Sequence, residues 1–544
     1  MVENRRHGRA LRLVAIGAVA ALTAVLPQAA SAAPAVACDD RSNNTYQKLL
    51  ECVTLEGVRE HLAEFQKIAD NSTDPVYPGT RAAGTVGYAE SVEYVAGLLR
   101  DAGYEVTLDP VEITFNFPAE LRQLTPVQAE YETGVFTGSG SGEVQGNVIP
   151  VDIDLTPTGG STSGCEAADF AGLDFSGDND IALIQRGTCF FGTKAFYAEQ
   201  AGAEAVIIFN EGNTPERSGL IVADATSVDE PIPGAPGPVT HGIPVVGASF
   251  ADGAALAQPG STAYVLVLPA ETRTDFNVIA ELPGKNEDNV VMAGAHLDSV
   301  IEGPGINDNG SGSAALLETA LMMANLNPEN TLRFAWWAGE EQGLVGSHDY
   351  VDGLSEAELD RIALYMNYDM VGSPNYIFIF MVYDADESTF EAPVVVPPGS
   401  AAIEDVYESY YTAIGEPYDD TQFSGRSDYE AFILAGIPSS GLFTGAEVIK
   451  TPEQEAIWGG TAGEQFDPCY HEACDTFENI DLHALEVNSD LIAFAMLTFA
   501  YSTESVNGVP GKKVPGPKFT LPAPAGPEGT FAESDGGLAH GVQR

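Results

Sequence analysis

The sequence runs to 544 residues, 44% of them apolar, with 79 acidic side chains against 24 basic ones and a formal net charge of −55. That length and apolar content allow two or three domains with sizeable cores and exclude a disordered chain. The acidity excludes nucleic acid and anionic membrane surfaces as partners, because both would repel the chain; most of the carboxylates must simply be solvated surface.

Arg5, Arg6, Arg9 and Arg12 open the chain, an apolar stretch runs from Leu11 to Leu26, and Ala30-Ser31-Ala32 offers small residues for cleavage. This layout predicts a secretory signal peptide over residues 1–32. The apolar stretch is short for a spanning helix, and no later run reads as long and apolar enough. The expected mature protein is therefore secreted, free of the membrane and monomeric. Six cysteines in an exported chain imply disulfides. Nearness in sequence pairs Cys38 with Cys52, Cys165 with Cys189 and Cys469 with Cys474.

Residues 46–115 read as helix, loop, helix, strand. Val92, Val95, Leu98 and Leu99 recur at helical spacing between Tyr88 and Ala102, and Gly103 stands where a helix-ending glycine belongs. Glu105 to Phe115 alternates like a strand. From 121 to 270 the texture changes to Gly, Thr, Val and Pro with short apolar runs (Ile181–Ile184, Ala205–Phe209, Pro244–Val246) and one helix, Lys194–Ala201. This predicts a separate β-rich domain. Ser163-Gly164-Cys165, the run Ile181–Cys189, Ala201-Gly202-Ala203 and Ile243–Val246 resemble the protease-associated (PA) domain over about 120 residues. That resemblance implies a module inserted in a peptidase, restricting access or binding partners and doing no chemistry.

Residues 271–505 alternate strand and helix: strands Asn289–Ala295, Thr331–Ala338 and Ala363–Asn367, and helices Ser313–Leu326, Ala402–Ile414 and Leu485–Phe499. The expected fold is α/β, a mostly parallel or mixed sheet flanked by helices, built from 39–120 together with 271–505. The Pro/Gly-rich residues 506–544 read as a flexible tail. There is no internal repeat.

Each of those three strands runs into chemistry-bearing residues. One ends at His296-Leu297-Asp298, one at Glu340-Glu341 and one at Asp369. Sites in open α/β sheets form at the carboxyl ends of strands, so these side chains should meet at one edge. The Gly-rich loop 303–312 follows the first strand and centres on Asp308, its glycines permitting close backbone approach. Singly, each is bland: a hydrogen-bonding His, a helix-capping Asp, a solvated Glu pair. Jointly, histidine and several carboxylates suit zinc, and more carboxylates than one ion needs suggest two ions sharing one of them.

Gly294-Ala295-His296-Leu297-Asp298-Ser299, the loop Gly305–Gly312, Trp337–Ser347 and Asn367–Gly372 resemble the M28 family of zinc aminopeptidases. The resemblance covers roughly 50–115 and 275–500 and implies two zinc ions per chain. His296 and Asp369 match ligands of separate ions, Asp308 the bridging carboxylate, and Glu341 and His471 the remaining ligands. Glu340 matches the general base and Asp298 the acid that orients the His296 ring. The Asp308–Asn309 bond matches a cis peptide. Tyr470 matches a residue that stabilises the transition state, held in a loop closed by Cys469 and Cys474. Gly425-Arg426-Ser427-Asp428 resembles a segment near the substrate, where Arg426 would help to fix the substrate end. Calcium is a further cofactor of some relatives, with no ligands assignable here.

The substrate expected from this resemblance is a peptide or protein N-terminus, with a large apolar first residue. The rivals are a carboxypeptidase or other exopeptidase on the same scaffold, a one-zinc glutaminyl cyclase, and a non-catalytic binding protein. The paucity of basic residues in the site segments argues against a carboxypeptidase. The full ligand set with Glu340 argues against the other two.

Overall fold

A computed structural model describes residue 38 and residues 41–530, except 157–158, 230–237, 378, 384, 387–388, 390–391 and 393; for 379–383 it describes the backbone alone. The predicted signal peptide and the end of the tail lie outside the described residues.

The larger sheet has six strands in the order Glu105–Phe115, Glu271–Leu282, Asn330–Trp337, Asn286–His296, Ile362–Tyr368, Ser439–Leu442. The first two pair antiparallel with each other, and Glu271–Leu282 is antiparallel to its other neighbour; the last four strands run parallel. The parallel strands are the apolar runs read from sequence, buried on both faces as such strands must be. Along Asn330–Trp337, Leu332, Phe334 and Trp336 enter the core beneath helices Leu55–Asn71, Val86–Ala102, Gly312–Met323 and Leu482–Tyr501. Ala335 and Trp337 point to the opposite face, beneath Val345–Gly353 and Tyr429–Leu434. Gly103 ends its helix in the left-handed region at φ 99°, as the pattern required.

The second sheet holds seven strands, all between Glu120 and Val267: Ala129–Tyr131, Glu120–Thr125, Thr262–Val267, Gly142–Pro150, Ile181–Gln185, Ala205–Phe209, Val245–Ala248 in spatial order. Helix Phe191–Ala201 covers one face. A second helix, Phe250–Leu256, not expected from sequence, covers the other. This whole unit leaves and re-enters the larger sheet through adjacent strands: Phe115 sits opposite Glu271, and the pairing runs on to Glu105 and Glu281. Topologically it is the tip of a hairpin, where an insertion disturbs no core.

Two findings qualify the sequence reading and a third agrees with it. Helix Leu482–Tyr501 is long and apolar enough to cross a membrane, at mean hydropathy 1.2, but 72% of that window is buried inside the domain, as in a core helix. It extends beyond the expected Leu485–Phe499 at both ends. Residues 508–530 carry no helix or strand, yet they lie against the domain rather than free. Phe519 packs against Tyr46 and Phe494, Lys512 pairs with Glu329, and the amides of Gly529 and Thr530 donate to Asp419. All three disulfides join the cysteines that sequence proximity pairs.

Candidate metal centre

The parallel strands deliver their last residues to a single edge. His296 is in register with Trp337, three residues before Glu340, and Gly294 with Asn367, two before Asp369. The π-helical turn Ile306–Ser311 brings Asp308 under the same edge, with a cis Asp308–Asn309 peptide. His471, at φ 58°, enters from the loop closed by Cys469–Cys474.

Asp308 stands between two groups. Its Oδ1 lies 3.3 Å from His296 Nε2, which is also 3.3 Å from Asp369 Oδ1. Its Oδ2 lies 3.3 Å from His471 Nε2, which is 3.0 Å from Glu341 Oε2. His296, Asp308 and Asp369 therefore form one potential ligand set, and Asp308, Glu341 and His471 another, with Asp308 common to both. Within them, buried His296 Nε2, Asp369 Oδ1 and Glu341 Oε1 have no hydrogen-bond partner in the protein. Leaving such atoms unpaired costs about 1–3 kcal/mol each, so the set fits cations that would take those lone pairs. Imidazole and carboxylate together suit zinc.

Charge crowding points the same way. Burial opposes the charge on His296, yet Asp369 and Glu340 hold its proton affinity well above the ordinary imidazole value. Burial likewise opposes His471, but Asp308 and Glu341 push it up to about 11. Burial and then Asp308 raise Glu341 to about 7. Glu340 is pushed well above the usual carboxylate range by burial, Glu341 and Asp369, against the pull of His296. Burial also opposes ionisation of Asp308, which its two histidines nonetheless hold well below that range. Without a cation the site must take up protons to offset its own negative charge.

Supporting groups fix these candidate ligands. His296 Nδ1 lies 3.1 Å from the Asp298 backbone carbonyl and 3.6 Å from its carboxylate, which accepts the backbone N–H groups of Glu340 and Glu341, so one residue orients both the ring and the acidic turn. Ser427 donates to Asp369 Oδ2 at 2.6 Å. Tyr470 stacks on His471 with ring centroids 3.8 Å apart, and Arg426 Nη2 donates to the Tyr470 hydroxyl oxygen at 3.1 Å while Nη1 pairs with Glu447 at 2.7 Å. Arg426 thus links Tyr470 to Glu447 at the edge of the site. His296 is 1% exposed and His471 34%, so the site opens on the His471 side.

Four contributors escaped the sequence reading. Asp475 accepts the amides of Asn307 and Asp308 at 2.8 and 3.0 Å, and Asp467 accepts Asn307 Nδ2 at 2.7 Å; both flank the disulfide loop, where carboxylates could have been suspected. Asp428 is fully buried, pushed up to about 7 by burial, and its field reaches Glu340 and Asp369. Arg81, fully buried, donates to the carbonyls of Leu297, Pro304 and Gly305, clamping the start of the Gly-rich loop to the end of the strand before it. Nothing near Arg81 in sequence announces that role.

Residues 277–496 match Peptidase family M28 and residues 144–256 match the PA domain. An aminopeptidase of Pseudomonas aeruginosa is 44% identical over 468 residues, covering 84% of this chain and 83% of that protein. Leucine aminopeptidase 2 of Trichophyton tonsurans is 35% identical over 493 residues, covering 89% and 91%. The zinc aminopeptidase BSAP of Bacillus subtilis superposes with a TM-score of 0.58 at 26% identity, over 81% of this chain and 94% of that one. An aminopeptidase from Aneurinibacillus sp. strain AM-1 gives 0.56 at 25% identity, over 88% and 99%. The expected fold and enzyme class are both met: the chain belongs to peptidase family M28, as a metallo-aminopeptidase carrying an inserted PA domain.

Proposed function

We propose that this chain is a secreted aminopeptidase that holds two zinc ions, bridged by Asp308, and removes large apolar residues from peptide N-termini. The observation that carries the reading is the division of Asp308 between two histidine–carboxylate groups, one oxygen to each. His296 and Asp369 would hold one ion, and His471 and Glu341 the other. Zinc there supplies Lewis acidity and lowers the pKa of the attacking water from ~15.7 towards roughly 7. Secretion is supported by the basic and apolar start of the sequence and its small-residue cleavage motif. The apolar preference is supported by the leucine aminopeptidase names of fungal relatives.

The protein groups divide the remaining work. Glu340 belongs to neither ligand set containing Asp308, lies 3.9 Å from His296 Nε2, and has a proton affinity raised by burial. It takes the proton of the attacking water and returns it to the leaving amine. Glu340 and Asp369 together receive the substrate's ammonium group, which makes the enzyme act only at free N-termini. The Tyr470 oxygen accepts from Arg426, so the phenol's own proton is available to the oxyanion that develops at the scissile carbonyl. Asp298, bound to two successive amides, keeps Glu340 and Glu341 in register with His296.

The test is Glu340→Ala in the zinc-loaded protein. Zinc content should stay at two per chain while kcat on a leucine dipeptide falls by at least ~10²-fold, the usual contribution of a general base. N-acetylation of the dipeptide should abolish hydrolysis by the wild type. Retained turnover in the variant, or hydrolysis of the acetylated substrate, would sink the reading.

A further inference from the structure

A cavity of about 200 Å³ opens beside the metal centre and shares Glu341 and Asp298 with it. Tyr77 and Phe115 form its apolar wall, their rings edge to face at 5.5 Å. Ser299–Glu302, which lead into the Gly-rich loop, and Gln342 line it further. Its charge is one-sided. No lysine or arginine lines it. Arg273, which stacks on the Phe115 ring, is committed to Glu271 and to the carbonyl of Gly84. Of the acids, Asp298 is occupied by His296 and two amides, and Glu341 belongs to the ligand set. That leaves Glu302, exposed at the rim, with Glu472 beside it adding negative charge. The imidazole that faces Glu302, His471, is already taken by Asp308 and Glu341.

The direction of the substrate follows from the proposed function, on which this inference rests. The ammonium group lies at Glu340 and Asp369, and the carbonyl lies at Tyr470. The chain beyond the scissile bond therefore leaves past the other flank, where Glu341 and Gln342 border the cavity. We infer that this cavity is a subsite for the residue that follows the scissile bond, and that Glu302 makes it prefer a basic side chain, Lys or Arg. The aliphatic stem of such a side chain lies along Tyr77 and Phe115 while its charge reaches the rim, the usual way long cations cover apolar surface. An acidic side chain entering the same cavity meets Glu302 and Glu472 with no lysine or arginine in the lining to offset them.

The experiment compares kcat/KM of the zinc-loaded full chain on Leu-Lys-amide, Leu-Leu-amide and Leu-Glu-amide, with leucine nitroanilide as the substrate that lacks a second residue. The wild type should prefer Lys over Glu. Glu302→Gln should shrink the Lys-to-Glu ratio roughly fivefold, the size expected of a partly solvated ion pair. Glu302→Lys should invert the preference, an outcome that poor folding cannot produce. Added salt should narrow the wild-type ratio, since the contact is at a wet rim. Identical ratios in wild type, Glu302→Gln and Glu302→Lys would overturn the subsite while leaving the aminopeptidase reading intact. Failure to hydrolyse even the nitroanilide would remove both.

Discussion

The metal edge and the inserted domain both bury ionisable groups, but they treat them in opposite ways. In the inserted domain Glu211, Lys194 and Asp180 each meet a protein partner. Glu211, fully buried, accepts the amide of Ser161 and pairs with Arg217 at 2.7 Å. Lys194, also fully buried, donates to the Ser163 carbonyl, and Asp180 accepts the amide of Gly177. At the metal edge, buried atoms of His296, Asp369 and Glu341 have no such partner, and carboxylates crowd one another. Both arrangements are costly to bury. The difference teaches which burial serves the fold and which is held ready for a ligand: the first is satisfied within the chain, the second only from outside it.

Removing the metal should break this contrast most severely. Chelation should abolish aminopeptidase activity and zinc should restore it, as followed with a leucine nitroanilide. In the metal-free protein Glu341 keeps its proton to about 7 and His471 to about 11. Rebinding zinc must expel the protons of His296, His471 and Glu341 at pH 6, whereas by pH 8 Glu341 has largely lost its own and chiefly the histidine protons remain. Calorimetric titration in buffers of different ionisation enthalpy should therefore show more protons released at pH 6, and weaker binding there. Glu341, Asp428 and Asp475, raised to about 7, 7 and 8 mainly by burial, favour their neutral forms in the metal-free fold. Their contribution is present at acid pH and lost as pH rises from the ordinary carboxylate value through about 8. The Tm of the metal-free protein should fall across that window more than that of the zinc-loaded one.

Asp475→Ala comes next in size. It removes the acceptor of the Asn307 and Asp308 amides, and loss of such a support typically costs about 10–100-fold in metal affinity or activity. Asp475→Asn, keeping one acceptor, should recover part of this in a zinc competition assay. Glu211→Ala sharpens the other side of the comparison. It should lower stability by about 1–3 kcal/mol by orphaning the buried Ser161 amide, seen as a lower denaturant midpoint, with kcat/KM unchanged. A change in kcat/KM there would mean the inserted domain reaches the chemistry. The smallest effect belongs to Glu447→Ala. Freed from its partner, Arg426 should hold Tyr470 less well and kcat should fall roughly two- to fivefold with KM little altered, in line with a half-exposed pair.

Legibility in the sequence followed local rules. The buried strands announced themselves as continuous apolar runs, and the observed Asn286–His296, Asn330–Trp337 and Ile362–Tyr368 differ from the readings only by frayed ends. The helix Phe250–Leu256 escaped because it is short, and the docking of residues 508–530 escaped because Pro/Gly-rich composition says nothing about which surface awaits it. In the site, His296, Glu340, Glu341 and Asp369 were legible from the ends of those strands. Arg81 and Asp475 were not, because their targets are backbone carbonyls and amides, and a sequence carries no mark of which carbonyl will be buried without a partner.

What the sequence by itself determined was therefore the kind of sheet, the residues at its carboxyl edge and the disulfide pairs, all of which depend on periodicity and on nearest neighbours along the chain. Resemblance added His471 and Tyr470. Only the tertiary structure decided that Asp308 turns one oxygen to each histidine, that Arg426 is bound to Tyr470 and Glu447, and that a one-sided acidic cavity adjoins Glu341. Those facts depend on side chains converging from elements as far apart as residues 77 and 471. Such distances through space are set by packing of the whole core, not by any local stretch.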